Sequence, residues 1–343
     1  MRNELRQDPL THRWVIIAKK RAKRPHEIIR KKEGTIKKNF VCPFDKGKEK
    51  LTGQEVYRLN RNHDDWLVRS IINKAPYFNP PSEQETGVIT RGILFTYRVP
   101  IGVAEVFVET PDHYKDLVFM CPEELEAVIE GYKNRYTDLA ARYEEVSIFR
   151  NHGYLAGQSL MHPHSQITAM NEKSPENERE EKIIIDFYKK YKFCLMGHME
   201  KVERLRKKRL ITQNDSFVAI CPWASMVPYE IIIIPKTHNP NISYLSAQEI
   251  TDFALILQDV LRRLYLLLDN PDYNYYIRNY PKENMLKLAG HWYLRIIPHL
   301  NLTGGYEASS GSFINSVPPE EAASQLKEIR PEKKKWTVPR PKK

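Results

Sequence analysis

The sequence predicts an α+β protein built from two copies of one unit, each an antiparallel sheet with helices packed on it. Strand-like segments occur in both halves of the chain in the same order around one long helix-like segment. Short motifs before the two helices correspond, with Asp112-His113 in the first half and Thr237-His238 in the second. The letters FVCP at Phe40 are echoed by KFCL at Lys192. An internal duplication explains all three observations.

In the first half, apolar patterning predicts strands in WLVRSIIN from Trp66 and over Glu105–His113. The residues from Pro122 to Tyr143 repeat with the helical period, so a helix is expected there. Strands are then predicted in VSIFRN and in MHPHSQITAM. The first half therefore has the order strand, strand, helix, strand, strand.

The second half repeats this order. FVAICP and YEIIIIPKTH are predicted strands, SAQEITDFALILQDVLRRLYLLL is a predicted helix, and YNYYIRN and HWYLRIIPHL are predicted strands. The charged stretch at 171–193 carries apolar residues that fit a connecting helix. We predict a first, catalytic unit at residues 1–170 and a second unit without the catalytic histidine at 171–326. A basic tail follows at 327–343, and we expect it to be mobile because it is rich in proline and lysine.

Composition limits the classes of function. The 343 residues, 41% of them hydrophobic, suffice for one or two globular domains. The chain contains no apolar run of bilayer length and no signal peptide, so we expect a cytoplasmic protein without a membrane partner. The four cysteines are too scattered to predict a disulfide framework. The net charge of +11 comes from residues 1–40 and 327–343, which weakens a nucleic-acid-binding interpretation.

The most informative stretch is GQSLMHPHSQ, in which one proline separates His162 from His164. Alternate side chains of a strand share a face, so we expect His162, His164 and Gln166 to point the same way. Pro163 restricts the backbone on both sides and holds the two rings in a fixed relation. The preceding loop, 151–159, has two glycines and backbone amides that can receive a phosphate. A histidine beside such a loop can be a metal ligand, an acid or base, or a nucleophile at phosphorus.

These residues form the run N-x-G-x-x-x-G-x-S-x-x-H-P-H-x-Q, which here comprises Asn151, Gly153, Gly157, Ser159, His162, His164 and Gln166. The run closely resembles the active-site signature of the galactose-1-phosphate uridylyltransferase family, a branch of the histidine-triad superfamily. The resemblance extends over nearly the whole chain. It includes DPLTHRWVIIAKKRAKRP near the start, SIINKAP, and GGYEASSGSFINSVPPEEAA near the end.

The resemblance implies a ping-pong transfer of a nucleotide in carbohydrate and galactose metabolism. His164 would attack the α-phosphorus of a nucleotide sugar such as UDP-glucose and release the sugar 1-phosphate. A galactose 1-phosphate acceptor would then take UMP from the nucleotidyl-histidine. Gln166 and Ser159 would act with His164 as catalytic residues by stabilising charge on the phosphates.

The resemblance also implies the substrate-binding residues. Two arginines would contact the phosphates, one asparagine the nucleoside, the loop residues the phosphates, and three C-terminal residues the hexose. In that order they are Arg21, Arg24, Asn73, Asn151, Gly157, Tyr306, Glu307 and Asn315. The resemblance further implies a homodimer.

Family members often carry structural zinc, and the matching positions here are Cys42, Asp45, His113 and His162. Aspartate has replaced the second cysteine, which leaves a Zn²⁺ site chemically feasible but less selective for zinc. An iron site is expected to be absent. Glu180 matches the family's glutamate ligand, but the histidine ligands are replaced by Arg278, Tyr293 and Arg295. His291 and His299 match no ligand position, and we assign them to structure.

Three other functions remain open. Two of them use the same histidine nucleophile, and the third involves no catalysis. A nucleotide-sugar phosphorylase, such as an ADP-glucose phosphorylase, would use inorganic phosphate as the acceptor. A dinucleoside polyphosphate phosphorylase would use the same nucleophile, but the retained Glu307 favours a hexose. A catalytically inactive nucleotide- or nucleic-acid-binding protein would have no chemical need for both His164 and Gln166. The sequence does not choose between uridine and adenine nucleotides.

Overall fold

The computed structural model describes residues 3–19, 40–63, 65–80, 89–91, 94–281, 284–300, 302 and 304–340. The first half contains strands β1 (Glu4–Gln7), β2 (Trp14–Ile17), β3 (Glu55–Asn62), β4 (Asp65–Ile72), β5 (Ile89–Arg91), β6 (Phe95–Tyr97), β7 (Gly102–Val108), β8 (Glu145–His152) and β9 (His164–Met170). The second half contains β10 (Leu210–Gln213), β11 (Phe217–Ile220), β12 (Ile231–Pro235), β13 (Tyr273–Arg278), β14 (Tyr293–Pro298) and β15 (Phe313–Asn315). The helices are α1 (Pro122–Ala140), α2 (Pro175–Tyr191), α3 (Leu195–Arg206), α4 (Ala247–Leu268), α5 (Leu286–Ala289), α6 (Gly305–Ser310) and α7 (Pro319–Glu328).

Ten strands form one continuous sheet in the order β10-β11-β12-β14-β13-β8-β9-β7-β4-β3. From the central β8–β13 pair, the first unit runs β8-β9-β7-β4-β3 and the second runs β13-β14-β12-β11-β10. The order is the same in both directions, and α1 and α4 occur at equivalent places in the chain. The predicted α+β fold with two duplicated units is confirmed, and the two units share a single sheet.

The long helices begin where the sequence provides capping groups. At α4, the Ser246 hydroxyl accepts a hydrogen bond from the Glu249 amide, and the Glu249 carboxylate accepts one from the Ser246 amide. At α1, the Glu124 carboxylate accepts a hydrogen bond from the amide of Cys121, and Pro122 occupies the first helical position. These contacts satisfy amides that the first turn leaves without helical partners.

The two faces of the sheet are covered differently. The main core lies on the face packed by α1 and α4, where Ile148 and Ile167 are fully buried. On the opposite face, α2 and α3 cover the second unit and form a separate core around Ile232 and Tyr293. The same face of the first unit is only half-buried at Phe149 and Gln166. This difference leaves the first unit with an accessible sheet surface.

The remaining elements lie outside the main sheet. Strand β15 pairs with β2, and β2 pairs with β1, in a three-stranded sheet. In the C-terminal tail, the Trp336 ring packs against Phe119 and Tyr265, and Arg340 donates to the carboxylate of Asp112 over 2.6 Å. None of the helices in the described part of the chain combines the length and apolar character needed to cross a lipid bilayer.

Candidate active site and metal centre

His164 is the first residue of β9, and its position in the sheet sets its direction. Strand β9 lies between β7 and β8, with His164 opposite Val108 and Gln166 opposite Phe149. The alternation of side chains puts His164 and Gln166 on the accessible face. Ser165 points to the opposite, helix-covered face and pairs in register with Arg150.

The predicted strand was too long at its start, because β9 begins at His164 and not at Met161. His162 therefore lies in a bend before the strand, so the alternation of the strand does not by itself set the direction of its ring. The ring lies beside Cys42 and Phe44, which pack with Val106 and Val108, the register partners of Gln166 and His164. The His162 ring is fully buried and bonds through Nε2 to the carbonyl oxygen of Thr110 over 2.7 Å. This contact leaves Nδ1 directed toward Cys42 and Asp45.

The orientation of the His164 ring leaves one nitrogen for chemistry. Nδ1 donates to the backbone carbonyl of His162 over 2.7 Å. A neutral imidazole carries a proton on only one nitrogen, so this bond places the lone pair on Nε2. Among the described residues, none is seen to hydrogen bond to Nε2. Burial lowers the pKa of His164, so the ring is neutral at pH 7.

Phe44 packs against the rings of both His162 and His164. Its ring centroid lies 6.0 Å from that of His162 and 5.3 Å from that of His164. Phe44 follows Cys42 by two residues, so the same loop supplies a member of the Cys42 cluster and a packing partner for His164. Sequence reasoning missed Phe44, because an aromatic residue in a loop has no distinctive pattern.

The loop after β8 has the backbone shape of an anion-receiving loop. Gly153 and Gly157 have φ values of 86° and 83°, a region that glycine enters without steric strain. The Gln158 side chain accepts a hydrogen bond from the Gly153 amide over 2.6 Å and ties the loop together. Ser159 follows as an exposed residue. Asn151 lies beside His164 on the neighbouring strand, because Arg150 and Ser165 are paired.

A buried polar network lies on the other side of β9, behind His164. The Ser165 hydroxyl donates to Glu109, which also accepts two hydrogen bonds from Nε of Arg150 at 2.9 and 3.1 Å. Arg150 reaches Asp116 over 2.6 Å, and the Tyr132 hydroxyl donates to Glu109 over 3.0 Å. Burying a charged side chain away from solvent costs free energy unless an opposite charge or a hydrogen-bond partner compensates it, and each charge here has such a partner. The network connects β7, β8 and β9 and so fixes the strand that carries His164.

The other predicted binding residues lie in several places. Arg21 and Arg24 fall outside the described residues. Asn73 follows β4, and its side-chain oxygen accepts a hydrogen bond from the amide of Ala75 over 3.0 Å. Tyr306 and Glu307 are on α6, which packs on β15, and the Glu307 carboxylate caps the helix at the Gly304 amide over 3.0 Å. Strand β15 belongs to the three-stranded sheet with β1 and β2 and not to the sheet that carries His164.

Asn315 has a structural environment, in contrast to the predicted hexose contact. It is fully buried, and its amide nitrogen donates to the carbonyl oxygens of Ser225 and Val227 at 2.9 and 3.2 Å. Its side-chain oxygen accepts a hydrogen bond from the Val317 amide over 2.9 Å. Both donor hydrogens are used internally, so the side chain has no donor to offer a sugar.

The four residues predicted as metal ligands come together. Cys42, Asp45, His113 and His162 place one ligand atom each within 4.8 Å of all the others. Asp45 Oδ1 lies 2.8 Å from His113 Nδ1 and 3.1 Å from His162 Nδ1, and Cys42 Sγ lies 3.8 Å from His162 Nδ1. These residues come from the loops before β3, after β7 and before β9.

The donor set fits a tetrahedral cation. Bond lengths of about 2.0 to 2.3 Å put neighbouring ligand atoms about 3.3 to 3.6 Å apart. The three observed distances, 2.8, 3.1 and 3.8 Å, lie on both sides of this range. The hydrogen bond from His162 Nε2 to the Thr110 carbonyl leaves Nδ1 as the ligand atom. Histidines that bind metals commonly donate their other ring nitrogen to a protein oxygen in this way. Burial raises the pKa of the Cys42 thiol to about 11, so a thiolate there requires a cation beside it.

A second cluster occupies the equivalent place in the second unit. Cys194, His238 and His291 also bring their ligand atoms within 4.8 Å of one another. Gly197 stands three residues after Cys194, as Asp45 follows Cys42, and a Cβ there would lie 3.3 Å from His291 Nδ1. The assignment of His291 to structure overlooked this cluster. The echo of FVCP in KFCL, together with the matched His113 and His238, was the signal that could have revealed it.

Glu180, the residue predicted to match an iron-binding glutamate, is bound by protein groups. Its carboxylate lies 3.4 Å from Arg278 Nε and accepts hydrogen bonds from the hydroxyls of Tyr280 and Tyr293. Glu180 and Arg278 are both nearly fully buried. A guanidinium group thus supplies the positive charge that balances Glu180.

Known proteins resemble this chain along most of its length. Family models described as galactose-1-phosphate uridyl transferase, N-terminal domain and C-terminal domain, match residues 1–173 and 149–289. An ADP-glucose phosphorylase from Arabidopsis thaliana is 31% identical over 95% of this chain and 93% of that protein. A galactose-1-phosphate uridylyltransferase from Thermotoga maritima is 28% identical over 96% and 99%.

A solved structure agrees with these sequence comparisons. The crystal structure of an ADP-glucose phosphorylase from Arabidopsis thaliana with bound ADP-glucose has a TM-score of 0.81 and 29% identity, covering 96% of this chain and 100% of that one. The extent of both the sequence and the structural match identifies the family. This chain belongs to the galactose-1-phosphate uridyl transferase family, whose members similar to it include uridylyltransferases and an ADP-glucose phosphorylase.

Proposed function

We propose that this protein transfers a nucleotide from a nucleotide sugar through a covalent nucleotidyl-histidine at His164. The observation that carries the proposal is the bond from His164 Nδ1 to the His162 carbonyl, which leaves the Nε2 lone pair as the nucleophile. Gln166 on the same face and Asn151 on the neighbouring strand provide amide groups beside the ring. A neutral nitrogen nucleophile needs no separate base.

In the first step, Nε2 of His164 forms a bond to the α-phosphorus while the bond from phosphorus to the bridging oxygen breaks. The electron pair of that bond leaves with the sugar 1-phosphate. The ring then carries positive charge, because both nitrogens are substituted or protonated. The His162 carbonyl accepts a hydrogen bond of 2.7 Å from Nδ1–H and so stabilises the positive charge on the ring. In the second step, an oxygen of the acceptor phosphate displaces the histidine.

Side chains around the ring would stabilise the phosphate. The Gln166 amide would donate to a non-bridging α-phosphate oxygen, and Ser159 with the Gly157 loop would hold the phosphates. Arg21 and Arg24 would add charge, since a planar guanidinium suits phosphate. Asn73 would contact the nucleoside. Tyr306 and Glu307 would contact the hexose within a homodimer, if the partner brings α6 to the site.

The acceptor we favour is inorganic phosphate, which makes the protein an ADP-glucose phosphorylase-type enzyme. The 31% identity and the TM-score of 0.81 to the Arabidopsis proteins support this choice. Uridylyl transfer from UDP-glucose to galactose 1-phosphate is the second candidate, supported by the Thermotoga maritima relative. The nucleophile does not distinguish the two, because both substrates share the α-phosphate.

We also propose that Zn²⁺ binds Cys42, Asp45, His113 and His162, since their donor atoms fit a tetrahedral ion. The ion would hold His162 and thereby the backbone that orients His164. Iron is not part of the proposal, because Glu180 already pairs with Arg278. A cytoplasmic location is proposed from the sequence alone.

The test is the covalent intermediate. The protein is mixed with ADP-glucose or UDP-glucose and analysed by intact-protein mass spectrometry, and the released sugar 1-phosphate is measured. We expect one nucleotide per active chain, no adduct in His164→Asn, and a normal adduct in the control His198→Asn, an exposed histidine on α3. Challenge of the adduct with inorganic phosphate or galactose 1-phosphate then identifies the acceptor. Label persisting in His164→Asn would refute the proposed nucleophile. Salt-dependent RNA or DNA binding without any adduct would favour a nucleic-acid-binding protein.

A further inference from the structure

The second unit contributes side chains to the phosphate loop of the first. Asn274 on β13 faces Asn151 on β8 across the junction of the two units. The Asn274 amide nitrogen donates to the Asn151 side-chain oxygen over 2.8 Å and to the carbonyl oxygen of Ala156 over 2.9 Å. One amide thus holds both the asparagine beside His164 and the loop that follows it.

This contact decides which end of the Asn151 amide faces the accessible surface. The oxygen and the nitrogen of an asparagine amide have nearly the same shape, so hydrogen bonds determine their placement. Because Asn274 donates to the Asn151 oxygen, the Asn151 NH₂ group points the other way, toward Gly157. That nitrogen lies 3.8 Å from the position of a Cβ on Gly157. A phosphate oxygen needs a donor, and this arrangement presents one.

Asn274 is itself held by a third residue. His299, which follows β14, donates from Nε2 to the Asn274 side-chain oxygen over 2.5 Å. The backbone amide of His299 also donates to the carbonyl oxygen of Asp272 over 2.7 Å, and the Asp272 carboxylate accepts a hydrogen bond from the Leu155 amide over 2.6 Å. The donors run in one direction, from His299 to Asn274 to Asn151.

We propose that Asn274 and His299 of the second unit are positioning residues that aim the Asn151 amide at the nucleotide's α-phosphate. The proposal rests on the nucleotidyl-transfer function proposed above and gives the second unit a direct part in it. Neither residue touches the reacting atoms. They fix the amide before the substrate arrives, so that no energy is spent on turning it as charge develops on the phosphate.

A double-mutant cycle tests the proposal. The rate of adduct formation is measured in single turnovers for the wild type, Asn274→Ala, Asn151→Ala and the double variant, with both the rate and the apparent Kd recorded. We expect Asn274→Ala to slow the step by about 30-fold, less than the roughly 100- to 1000-fold loss of a direct donor. In the Asn151→Ala background, Asn274→Ala should cost no more than about threefold, because its target is gone. If the rate losses of the two single variants multiply in the double variant, the proposal is wrong.

Variants of His299 and a control at Asn60 distinguish positioning of the Asn151 amide from a general loss of structure. His299→Ala should reproduce the loss in a smaller degree, and His299→Gln, which keeps a donor, should recover most of the rate. Asn60→Ala, on the exposed edge strand β3, should leave the rate unchanged. Equal losses in His299→Ala and His299→Gln would count against the proposal. If the wild type forms no adduct at all, the proposed function fails instead, so the two failures are distinguishable.

A stereochemical readout is independent of overall folding. Wild-type protein should react at different rates with the two diastereomers of an α-thiophosphate nucleotide sugar, since a fixed donor recognises one non-bridging oxygen. Asn274→Ala should reduce this ratio by about tenfold, whereas a merely destabilised fold would slow both diastereomers alike. An unchanged ratio in Asn274→Ala would overturn the proposal.

Discussion

Nδ1 of His164 lies 2.7 Å from the carbonyl oxygen of His162, whose own ring belongs to the cluster with Cys42, Asp45 and His113. The residue that orients the proposed nucleophile is therefore part of the candidate metal centre. A disturbance of the cluster is expected to reach the nucleophile through one peptide carbonyl. Two predictions concern this cluster.

Replacing His113 by Ala removes one ligand atom and leaves the other three in place. We expect the variant to lose most of its bound metal and to form the His164 adduct about tenfold more slowly. Removing a side chain that binds or supports a metal ligand typically lowers metal affinity or activity by about 10- to 100-fold. Elemental analysis and single-turnover kinetics measure the two effects, with His198→Ala as the control. A metal-free variant that keeps the full rate would disprove the coupling.

Replacing Asp45 by Cys should strengthen zinc binding. The change converts a Cys-Asp-His-His set into the Cys₂His₂ set found in closed structural zinc sites. We expect a higher zinc affinity in competition with a chromogenic chelator, at unchanged stoichiometry. Asp215→Cys adds a thiol at an exposed position between β10 and β11 and serves as the matched control. Weaker binding in Asp45→Cys would show that the carboxylate is the better ligand here.

Gln166 shares its face of β9 with His164 and is expected to stabilise the phosphate in the transition state. Gln166→Ala should slow adduct formation about 100-fold by removing a donor. Gln166→Glu should slow it further, because a carboxylate repels the phosphate oxygens. The control is Gln213→Ala on the edge strand β10. A normal rate in Gln166→Glu would exclude a contact with the phosphate.

The buried network predicts a dependence of stability on pH. Burial alone would raise the pKa of Asp116, but the charges of Arg150 and His152 hold it far below its usual range. Because the folded pKa is the lower one, the stabilisation is present above the unfolded value of about 3.9 and is lost as the pH falls below it. The free energy of unfolding should therefore differ by about 2 kcal/mol between wild type and Asp116→Asn at pH 7.

The same comparison at acid pH provides the check. Urea unfolding of both proteins from pH 8 to pH 3 should give a constant difference down to about pH 5 and a shrinking one below about pH 4. A difference that persists unchanged at pH 3 would contradict the role of the Asp116 charge.

The ion pair of Glu180 and Arg278 predicts an asymmetric response to substitution. Glu180→Gln leaves a buried guanidinium without its counter-charge and should lower the free energy of unfolding by about 3 kcal/mol or more. The double variant Glu180→Gln with Arg278→Met removes both charges and should recover much of this loss. Denaturant unfolding measures both variants. Equal stability of Glu180→Gln and wild type would show that the pair does not balance a buried charge.

Periodicity in the sequence determined the order of the main elements. The apolar patterns predicted α1, α4 and the four innermost strands of each unit, because residues buried against a helix layer repeat with the period of their own backbone. The edge strands β3 and β10 were missed, because the residues of β3 are largely exposed and β10 has only four residues, too few to show a period. The boundary of β9 was placed too early because His162 bonds to Thr110 outside the sheet.

The sequence alone also determined which residues of the first unit are proposed to carry the chemistry, because the His-Pro-His run and its loop lie in one continuous stretch around His164. Only the tertiary structure decided what those residues contact. Asn274 and Asp272 meet the proposed phosphate loop across the junction of two units, more than 100 positions away in the chain, and His299 holds Asn274 from behind. Single polar residues at such separations follow no local period, so folding alone brings them to the site.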